Sequence, residues 1–364
     1  MSPLIKDVPE NFTFRVPYDP RVSEKTMRDT AELWAHYQQD AAKRQRERVK
    51  EFAEILRQRG DKLRSVIGGD HYFALQRFKQ ALRLAVLKKT KPPYGLGISR
   101  AELVAEQSRR VSNFLSERGV NPRKVRAAIS NLFQPVSLPG DPKMSGQIQD
   151  EFFDPPLTSL AQTFEPPFMG RATGIIEGAW GFRVEHRNLA APEAGQVGVL
   201  IEMHDDDAGD NDFGLVDKES LLAVWFLTRG TGLIEVVMNL QCGMARHQLT
   251  RLNEWGFSSS HVRQQHMLMM HVIHPNAFEP TFNLAADFDE AGDDGESFDR
   301  RPFFHGQLFQ SRNLVSTGPI PAGQRVLVVF GCRSHDRANA NDMEIHSRSS
   351  FSWHISRVHV QVLT

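Results

Sequence analysis

Cysteine is scarce in this chain of 364 residues, which contains only Cys242 and Cys332. Two cysteines cannot build a framework of several disulfides, nor can they supply the thiolates of a zinc cluster. Both lie inside apolar runs that are typical of strands, so we expect free thiols buried in a core. The composition therefore excludes a small protein stabilised by several disulfides and a zinc site made of a cysteine cluster.

The common sequence signatures of catalysis are also lacking. No serine lies in a Gly-x-Ser-x-Gly elbow, and the chain has neither a P-loop nor a Gly-x-Gly-x-x-Gly motif. No apolar run reaches the length of a membrane-spanning helix, and the first 20 residues lack the apolar core of a signal peptide. We therefore expect a cytoplasmic protein, or one exported by a route without a cleaved signal.

Net charge is zero, but the two parts of the chain differ in sign. Residues 1–150 contain 28 Lys and Arg against 17 Asp and Glu, and the remaining residues contain 16 against 27. This asymmetry indicates a partner of opposite charge, such as an anionic surface or a second copy of the chain. We expect a homo-oligomer with the basic helices at its interface and an apolar helix ridge supplying the affinity. That ridge consists of Leu33, Trp34, Tyr37, Val49 and Phe52.

Helical periodicity dominates the N-terminal third of the chain. Apolar residues recur every three or four positions from about Val22 onward. Ser99 and Glu102 have the spacing of a capping box, and Asn121-Pro122 is typical of a helix start. The pattern predicts a bundle of several helices.

Short β-rich runs replace the helical pattern in the C-terminal part. The segment RGTG, residues 229–232, separates two apolar runs and predicts a β-hairpin. The sequence predicts an α+β fold with a basic α-helical domain and extended N-terminal arm over residues 1–134. A Pro-rich connector over residues 135–168 and an acidic antiparallel β-sandwich of jelly-roll type over residues 169–364 should follow.

Four histidines, His261, His266, His271 and His274, lie within one predicted strand. Alternation places His266 and His274 on one face, about 26 Å apart, and His271 on the other. A single metal ion cannot bridge that distance. We therefore expect a strand that is rich in imidazole rather than a metal site made from this run alone.

A second histidine motif is the pair His204 and Asp206, which follows a predicted strand. Its His-x-Asp spacing is similar to that of jelly-roll iron oxygenases, which hold iron with this pair and a distant histidine. The resemblance implies His271 as the third iron ligand. His305 is an alternative third ligand, and Arg312 or Arg325 would anchor 2-oxoglutarate. A solvated turn between two strands is the competing interpretation.

Two acidic segments, residues 204–212 and 287–299, contain the oxygen donors that Ca²⁺ prefers. Neither segment has the spacing of an EF-hand, so solvated surface loops are the alternative interpretation. The candidate calcium ligands are Asp205, Asp207, Asp210, Asp212, Asp287, Asp289, Asp293 and Asp294.

Basic runs on the predicted helices favour an anionic partner, including nucleic acid. The opposite helix faces are apolar, so an ordinary solvated face would produce the same pattern. The candidate residues are Lys43, Arg44, Arg46, Arg48, Lys88, Lys89, Lys91, Arg123, Lys124 and Arg126.

These observations favour binding or assembly over catalysis. In this hypothesis the helices oligomerise and the sandwich loops recognise a protein, carbohydrate or anionic partner. Secreted effectors, toxins and phage or capsid components share this layout. The alternatives are a metal-dependent oxygenase of the iron and 2-oxoglutarate type, and a protein that binds nucleic acid or another anionic ligand. Calcium and iron are the candidate cofactors that the sequence suggests.

Overall fold

The computed structural model has four α-helices at the N-terminal side followed by two antiparallel β-sheets, in the order that the sequence predicts. It describes residues 13–14, 16–90, 100–132, 136, 138, 148–149, 160–205, 212–252, 258–275, 277–292, 297–302, 306–341 and 343–364. The helices are α1 (Glu24–Ile67), α2 (Gly69–Thr90), α3 (Arg100–Glu117) and α4 (Pro122–Leu132).

Fourteen strands follow or precede these helices within the described residues. They are β1 (Thr13–Phe14), β2 (Ile148–Gln149), β3 (Gln162–Phe164), β4 (Gly170–Trp180), β5 (Arg183–Ala191), β6 (Gln196–Asp205), β7 (Asp212–Leu227), β8 (Leu233–Leu252), β9 (Ser259–His274), β10 (Ala277–Gly292), β11 (Ser297–Arg300), β12 (Leu308–Leu314), β13 (Arg325–Asn341) and β14 (Glu344–Leu363).

Short-range hydrogen bonds explain where two of the helices begin. The Ser23 hydroxyl accepts a backbone N–H three residues further on and caps α1. The predicted cap at Asn121 is confirmed, because its side-chain oxygen accepts the backbone N–H groups of Arg123 and Lys124 at the start of α4. The predicted cap at Ser99 lies outside the described residues.

The two sheets face each other across one apolar core. Sheet 1 has the strand order β1-β4-β7-β13-β9-β10, and sheet 2 has the order β2-β12-β8-β14-β6-β5, with β11 beside β8 and β3 beside β14. Met270 and Phe330 of sheet 1 meet Val236 and Trp353 of sheet 2 in this core. Apolar side chains thus fill much of the space between the two sheets.

The histidine-rich run forms strand β9, as the sequence predicts. Leu268, Met270 and Val272 point into the core between the sheets, whereas Met267 and Met269 belong to a separate cluster on the outer face of sheet 1. The alternation predicted for this strand is therefore confirmed.

The predicted hairpin at residues 229–232 is wrong. Strand β7 pairs with β4 and β13 in sheet 1, whereas β8 pairs with β12 and β14 in sheet 2. The segment therefore crosses from one sheet to the other, and Gly232 exchanges backbone hydrogen bonds with Ile320. Both flanking strands bury an apolar face in the same core from opposite sides, which a hairpin within one sheet cannot achieve.

Helix α1 lies on the outer face of sheet 1. Trp34 packs against Phe278 of β10 at a ring-centroid distance of 5.6 Å, and Phe52 packs against Phe213 of β7 at 5.7 Å. Between them, Val49 occupies the space above Gly178, where a β-carbon would come within 2.6 Å of the valine. The apolar ridge that we expected at an oligomer interface is therefore covered by the sheet of the same chain.

The end of α1 forms a second, helical cluster with the other three helices. Leu63 and Ile67 of α1 pack with Tyr72 of α2, Leu115 of α3 and Val125 of α4. Helix α1 thus packs on sheet 1 along most of its length, and its C-terminal end belongs to the helical cluster. The domain boundaries at residues 134 and 168 stay predictions. In the described part of the chain, no helix is long and apolar enough to cross a membrane.

Candidate functional site

A strip of charged side chains crosses the outer face of sheet 1 beneath α1. Asp217 and Glu219 lie on β7, and Arg333 and His335 lie directly opposite them on β13, with Arg333 paired to Glu219 and His335 to Asp217. Residues two apart on a strand share a face. The four side chains therefore form one compact group, and Asp217, Glu219 and His335 are buried.

Asp217 is the acceptor at the centre of this group. Arg333 donates to it from Nε at 2.5 Å and also from Nη2. Burial opposes ionisation of Asp217, but the charge and the hydrogen bonds of Arg333, together with the nearby His335 ring, outweigh it and hold the pKa of Asp217 well below its usual range. The carboxylate stays charged because it is paired inside the protein.

His335 connects Asp217 to helix α1. Arg48 Nη2 lies 3.0 Å from His335 Nε2, and His335 Nδ1 lies 3.8 Å from Asp217 Oδ2. A guanidinium can only donate, so Nε2 accepts and the ring proton is on Nδ1, which faces the carboxylate. Burial, opposed by the nearby carboxylate of Asp217, lowers the pKa of His335 to about 4. The imidazole is therefore neutral at physiological pH.

Glu219 is the acid of the strip whose pKa shifts in the other direction. Burial raises the pKa of Glu219 to about 7, although the charge of Arg333 opposes the shift. Burial also raises the pKa of nearby Tyr37 to about 12. Glu219 can therefore gain or lose a proton near neutral pH, whereas Tyr37 keeps its proton.

A cleft of about 400 Å³ opens between one flank of α1 and this strip, and we call it the α1 cleft. Asp217 and Arg333 form its floor, and alternating charges line the helix side. The helix residues are Ala41, Arg44, Gln45, Glu47, Arg48 and Glu51. The cleft thus offers guanidinium donors and carboxylate acceptors within the reach of one small ligand.

The charges at the mouth of the α1 cleft differ from those one turn further along the helix. Arg57 makes ion pairs with Glu54 at 2.7 Å and with Asp61 at 2.9 Å. Within the part of the chain that the structure describes, Arg44 and Glu47 make no such ion pair, although they are four residues or fewer from opposite charges on the same helix flank. Their groups are therefore available to a ligand.

Two of the residues predicted to bind iron, His204 and His271, lie in different sheets. His204 lies on β6 in sheet 2, where its ring is 4.8 Å from that of His346. His271 faces α1 from sheet 1, with its ring 6.4 Å from Trp34, and burial lowers its pKa to about 3. Asp206 and His305 lie outside the described residues. Among the residues described, no group of three or more His, Cys, Asp or Glu could hold a metal ion.

The predicted calcium ligands are divided between several environments. Asp287 accepts from Arg263 at 2.8 Å, and Asp289 accepts from His261 at 2.5 Å, so both carboxylates already have protein partners. Asp205 and Asp212 are buried at the ends of β6 and β7. The other four candidates, Asp207, Asp210, Asp293 and Asp294, lie outside the described residues. Calcium binding stays a prediction.

The predicted anion-binding residues that the structure describes fall on three helices. Arg44 and Arg48 line the α1 cleft, whereas Lys43 and Arg46 are exposed on other parts of α1. Three more, Arg123, Lys124 and Arg126, are exposed on α4. Lys88 and Lys89 lie in α2, where only the backbone is described, and Lys91 lies outside the described residues. The cleft thus contains two residues of this set.

The chain matches no protein-family model and no curated protein sequence. Among solved structures, it is similar to TmCBM61 in complex with β-1,4-galactotriose, with 8% identity over 45% of this chain and 86% of that one, and a TM-score of 0.13. It is also similar to the CBM22-1 xylan-binding domain of Xyn10C from Paenibacillus barcinonensis, with 9% identity over 59% and 98%, and a TM-score of 0.13.

A third similar structure is the enzymatically active domain of tailspike protein 4 from bacteriophage CBA120, with 5% identity over 45% of this chain and 19% of that one. Its TM-score is 0.14. All three TM-scores are well below 0.5, and these likenesses carry no weight in assigning a function.

Proposed function

We propose that this protein is a non-enzymatic binding protein and that its ligand occupies the α1 cleft. The observation that supports the proposal is the pair of cleft arginines, Arg44 and Arg48, above a floor whose own charges are already paired. Asp217 is held by Arg333 and His335 by Arg48, so these groups beneath the cleft already have partners within the chain. Such a site suits recognition more than turnover.

The alternating charges of the cleft define the chemistry of the ligand. Arg44 and Arg48 would hold an anionic group by charge-assisted hydrogen bonds. Glu47 and Glu51 would accept hydrogen bonds from neighbouring hydroxyl groups. A molecule that carries a carboxylate or sulfate beside several hydroxyls, namely an acidic carbohydrate, offers both in one cleft of about 400 Å³. We propose this class of ligand.

Binding to an array of acidic and neutral oligosaccharides, followed by calorimetry with the strongest acidic one, tests the proposal. Arg44→Gln should weaken binding about 10- to 100-fold, because a hydrogen bond to a charged group contributes about 1.5–3 kcal/mol. Arg57→Gln is the matched control, since Arg57 lies on the same helix but pairs with Glu54 and Asp61. Failure of every acidic glycan to bind, or an equal loss in both variants, would refute this function.

One observation favours a second candidate function. The pKa of Glu219, about 7, suits a general acid or base, and Glu219 lies beneath the same helix as the cleft. The alternative is therefore an enzyme in which Glu219 transfers a proton to or from the bound ligand. Chemical change of the oligosaccharide that binds best, abolished by Glu219→Gln with binding retained, would favour it over simple recognition.

The assembly hypothesis needs a different surface from the one first expected. The ridge from Leu33 to Phe52 is packed on sheet 1, so a homo-oligomer would have to form through other residues. The jelly-roll path, recognition through the sandwich loops and a role in a phage-like or secreted assembly remain part of the proposal. Sedimentation of the intact protein at low and high salt measures the oligomeric state directly.

A further inference from the structure

A second polar group occupies the end of the outer face of sheet 1, beyond the α1 cleft. Ser259 and His261 on β9 lie directly opposite Asn341 and Asn339 on β13, respectively. All four residues are odd-numbered along their strands, so their side chains share the outer face with His335. All four are at most 2% exposed, and we call them the polar quartet.

The polar quartet contains buried groups without a hydrogen-bond partner among the described residues. Within that part of the chain, the side-chain nitrogen and oxygen of both Asn339 and Asn341, the hydroxyl of Ser259 and Nδ1 of His261 make no hydrogen bond. Such groups are rare in folded proteins, and each one calls for a bound water, an ion or a ligand. Six such atoms on four adjacent residues point to a bound polar partner at this place.

The charges around the quartet identify the ligand. Arg337 lies on β13 and Arg59 on α1. Burial is the main cause of the lowered pKa of His261, and the charges of these two arginines lower it further. Arg263 on β9 lies opposite Asp289 and is bonded to Asp287, both on β10. Three guanidinium groups therefore face two carboxylates, and the surroundings have an excess of positive charge.

The hydrogen bond of His261 sets the tautomer of its ring. Nε2 of His261 lies 2.5 Å from Asp289 Oδ1, so the ring proton is directed at that carboxylate and Nδ1 carries a lone pair. The asparagine amides and the serine hydroxyl supply the remaining donors. An anion without a proton cannot form a hydrogen bond to this lone pair. A ligand that carries its own proton can donate it to Nδ1, and the quartet therefore favours such a ligand.

We propose that the polar quartet binds a small protonated oxyanion, with inorganic hydrogen phosphate as its simplest form. Asn339 Nδ2, Asn341 Nδ2 and the Ser259 hydroxyl donate to its unprotonated oxygens, and its hydroxyl donates to His261 Nδ1. Arg59 and Arg337 balance its charge. This site lies on different residues from the α1 cleft and does not depend on the function proposed for that cleft.

Equilibrium dialysis with radiolabelled phosphate, together with thermal unfolding in phosphate, sulfate or chloride at equal ionic strength, tests the site. The wild-type protein should bind phosphate saturably and unfold at a higher temperature in phosphate than in the other two salts. Sulfate carries no proton near neutral pH, so the comparison of phosphate with sulfate tests whether the ligand must supply a proton. Asn339→Asp should weaken phosphate binding at least tenfold, since a carboxylate repels the anion.

Asn283→Asp serves as the matched control, because Asn283 is equally buried but donates to Ser311 in another part of the sandwich. This variant should keep the phosphate response even if its unfolding temperature falls. Ser259→Ala is a milder change that removes one donor and should weaken binding while leaving the fold intact. The absence of any phosphate-specific effect in the wild-type protein would overturn the proposal, as would an equal loss in the Asn339 and Asn283 variants.

Discussion

Arg48 of helix α1 and His335 of strand β13 lie 287 residues apart in the sequence, and their side chains meet at 3.0 Å. The contact joins the first long helix to a central strand of sheet 1. Because the imidazole also faces Asp217, the helix is fixed to the strip of charges that forms the floor of the α1 cleft. The cleft therefore exists only when α1 is packed on the sheet.

Replacing the arginine of this contact should destabilise the protein. Arg48→Met keeps the aliphatic stem but leaves His335 Nε2 buried without a donor, which costs about 1–3 kcal/mol. Lys43→Met, an exposed position on the same helix, should change the free energy of unfolding by no more than about 0.5 kcal/mol. Urea denaturation of both variants measures the difference. Equal stabilities would show that the contact contributes nothing.

Glu219 should make stability depend on pH between about 4.5 and 7. Its pKa is about 7 in the folded protein against 4.5 for an ordinary glutamate, so the folded state holds the proton more tightly. This contribution is present in full below pH 4.5 and is lost as the pH rises towards 7. The total loss is about 3 kcal/mol from this difference in pKa.

Glu219→Gln isolates that contribution, because a glutamine is neutral at every pH. The variant should gain stability relative to the wild-type protein as the pH rises from 4.5 to 7. His335 acts in the opposite direction. Because its pKa is lowered to about 4, its contribution to stability is lost as the pH falls below 6.5. The His335 contribution is the same in the wild-type protein and the variant. A stability difference that stays constant with pH would contradict the prediction.

The contact between Val49 and Gly178 offers a test of how α1 packs. Gly178→Ala would place a β-carbon 2.6 Å from Val49 Cγ2, so the helix or the strand must move. Overpacking of this kind costs about 1–3 kcal/mol. Val49→Ala should relieve the clash, and the double variant should lose less stability than the sum of the two single variants. Additive losses, measured by urea denaturation, would mean that the two residues are not in contact.

Removal of the helices should expose the outer face of sheet 1. That face carries Met267, Met269, Leu327 and Trp225, which pack with Trp34 of α1 in the intact protein. We therefore expect residues 160–364 alone to aggregate or to bind a hydrophobic dye strongly, whereas the intact chain does neither. A soluble, monomeric fragment with cooperative unfolding would show instead that the sandwich is an independent domain.

The features that the sequence predicted correctly are those that depend on local pattern. The order of helices and sheets follows from periodicity, the cap at Asn121 from a single residue type, and the two faces of β9 from alternation. The crossing at residues 229–232 was mistaken for a hairpin because its turn chemistry is the same in both cases. Pairing of β7 with β13 and of β8 with β14 decides the outcome, and that pairing is non-local.

The floor of the α1 cleft was missed for a related reason. Lys218 lies between Asp217 and Glu219, and Asp336 lies between His335 and Arg337, so polar residues occupy both faces of these strands and no alternating pattern marks the strip in the sequence. Nor could the sequence supply the identity of the element that covers the strip, because α1 is separated from β13 by most of the chain.

The position of β14 constrains how the protein can be made. This strand comprises Glu344–Leu363 and lies between β8 and β6, so sheet 2 is incomplete until those residues have left the ribosome. Strand β13 has the same place between β7 and β9 in sheet 1. During synthesis, α1 can form before its partner surface, which is complete only after β13 has been made. The nascent chain therefore carries long, unpaired apolar strands and should depend on chaperones until β14 is released.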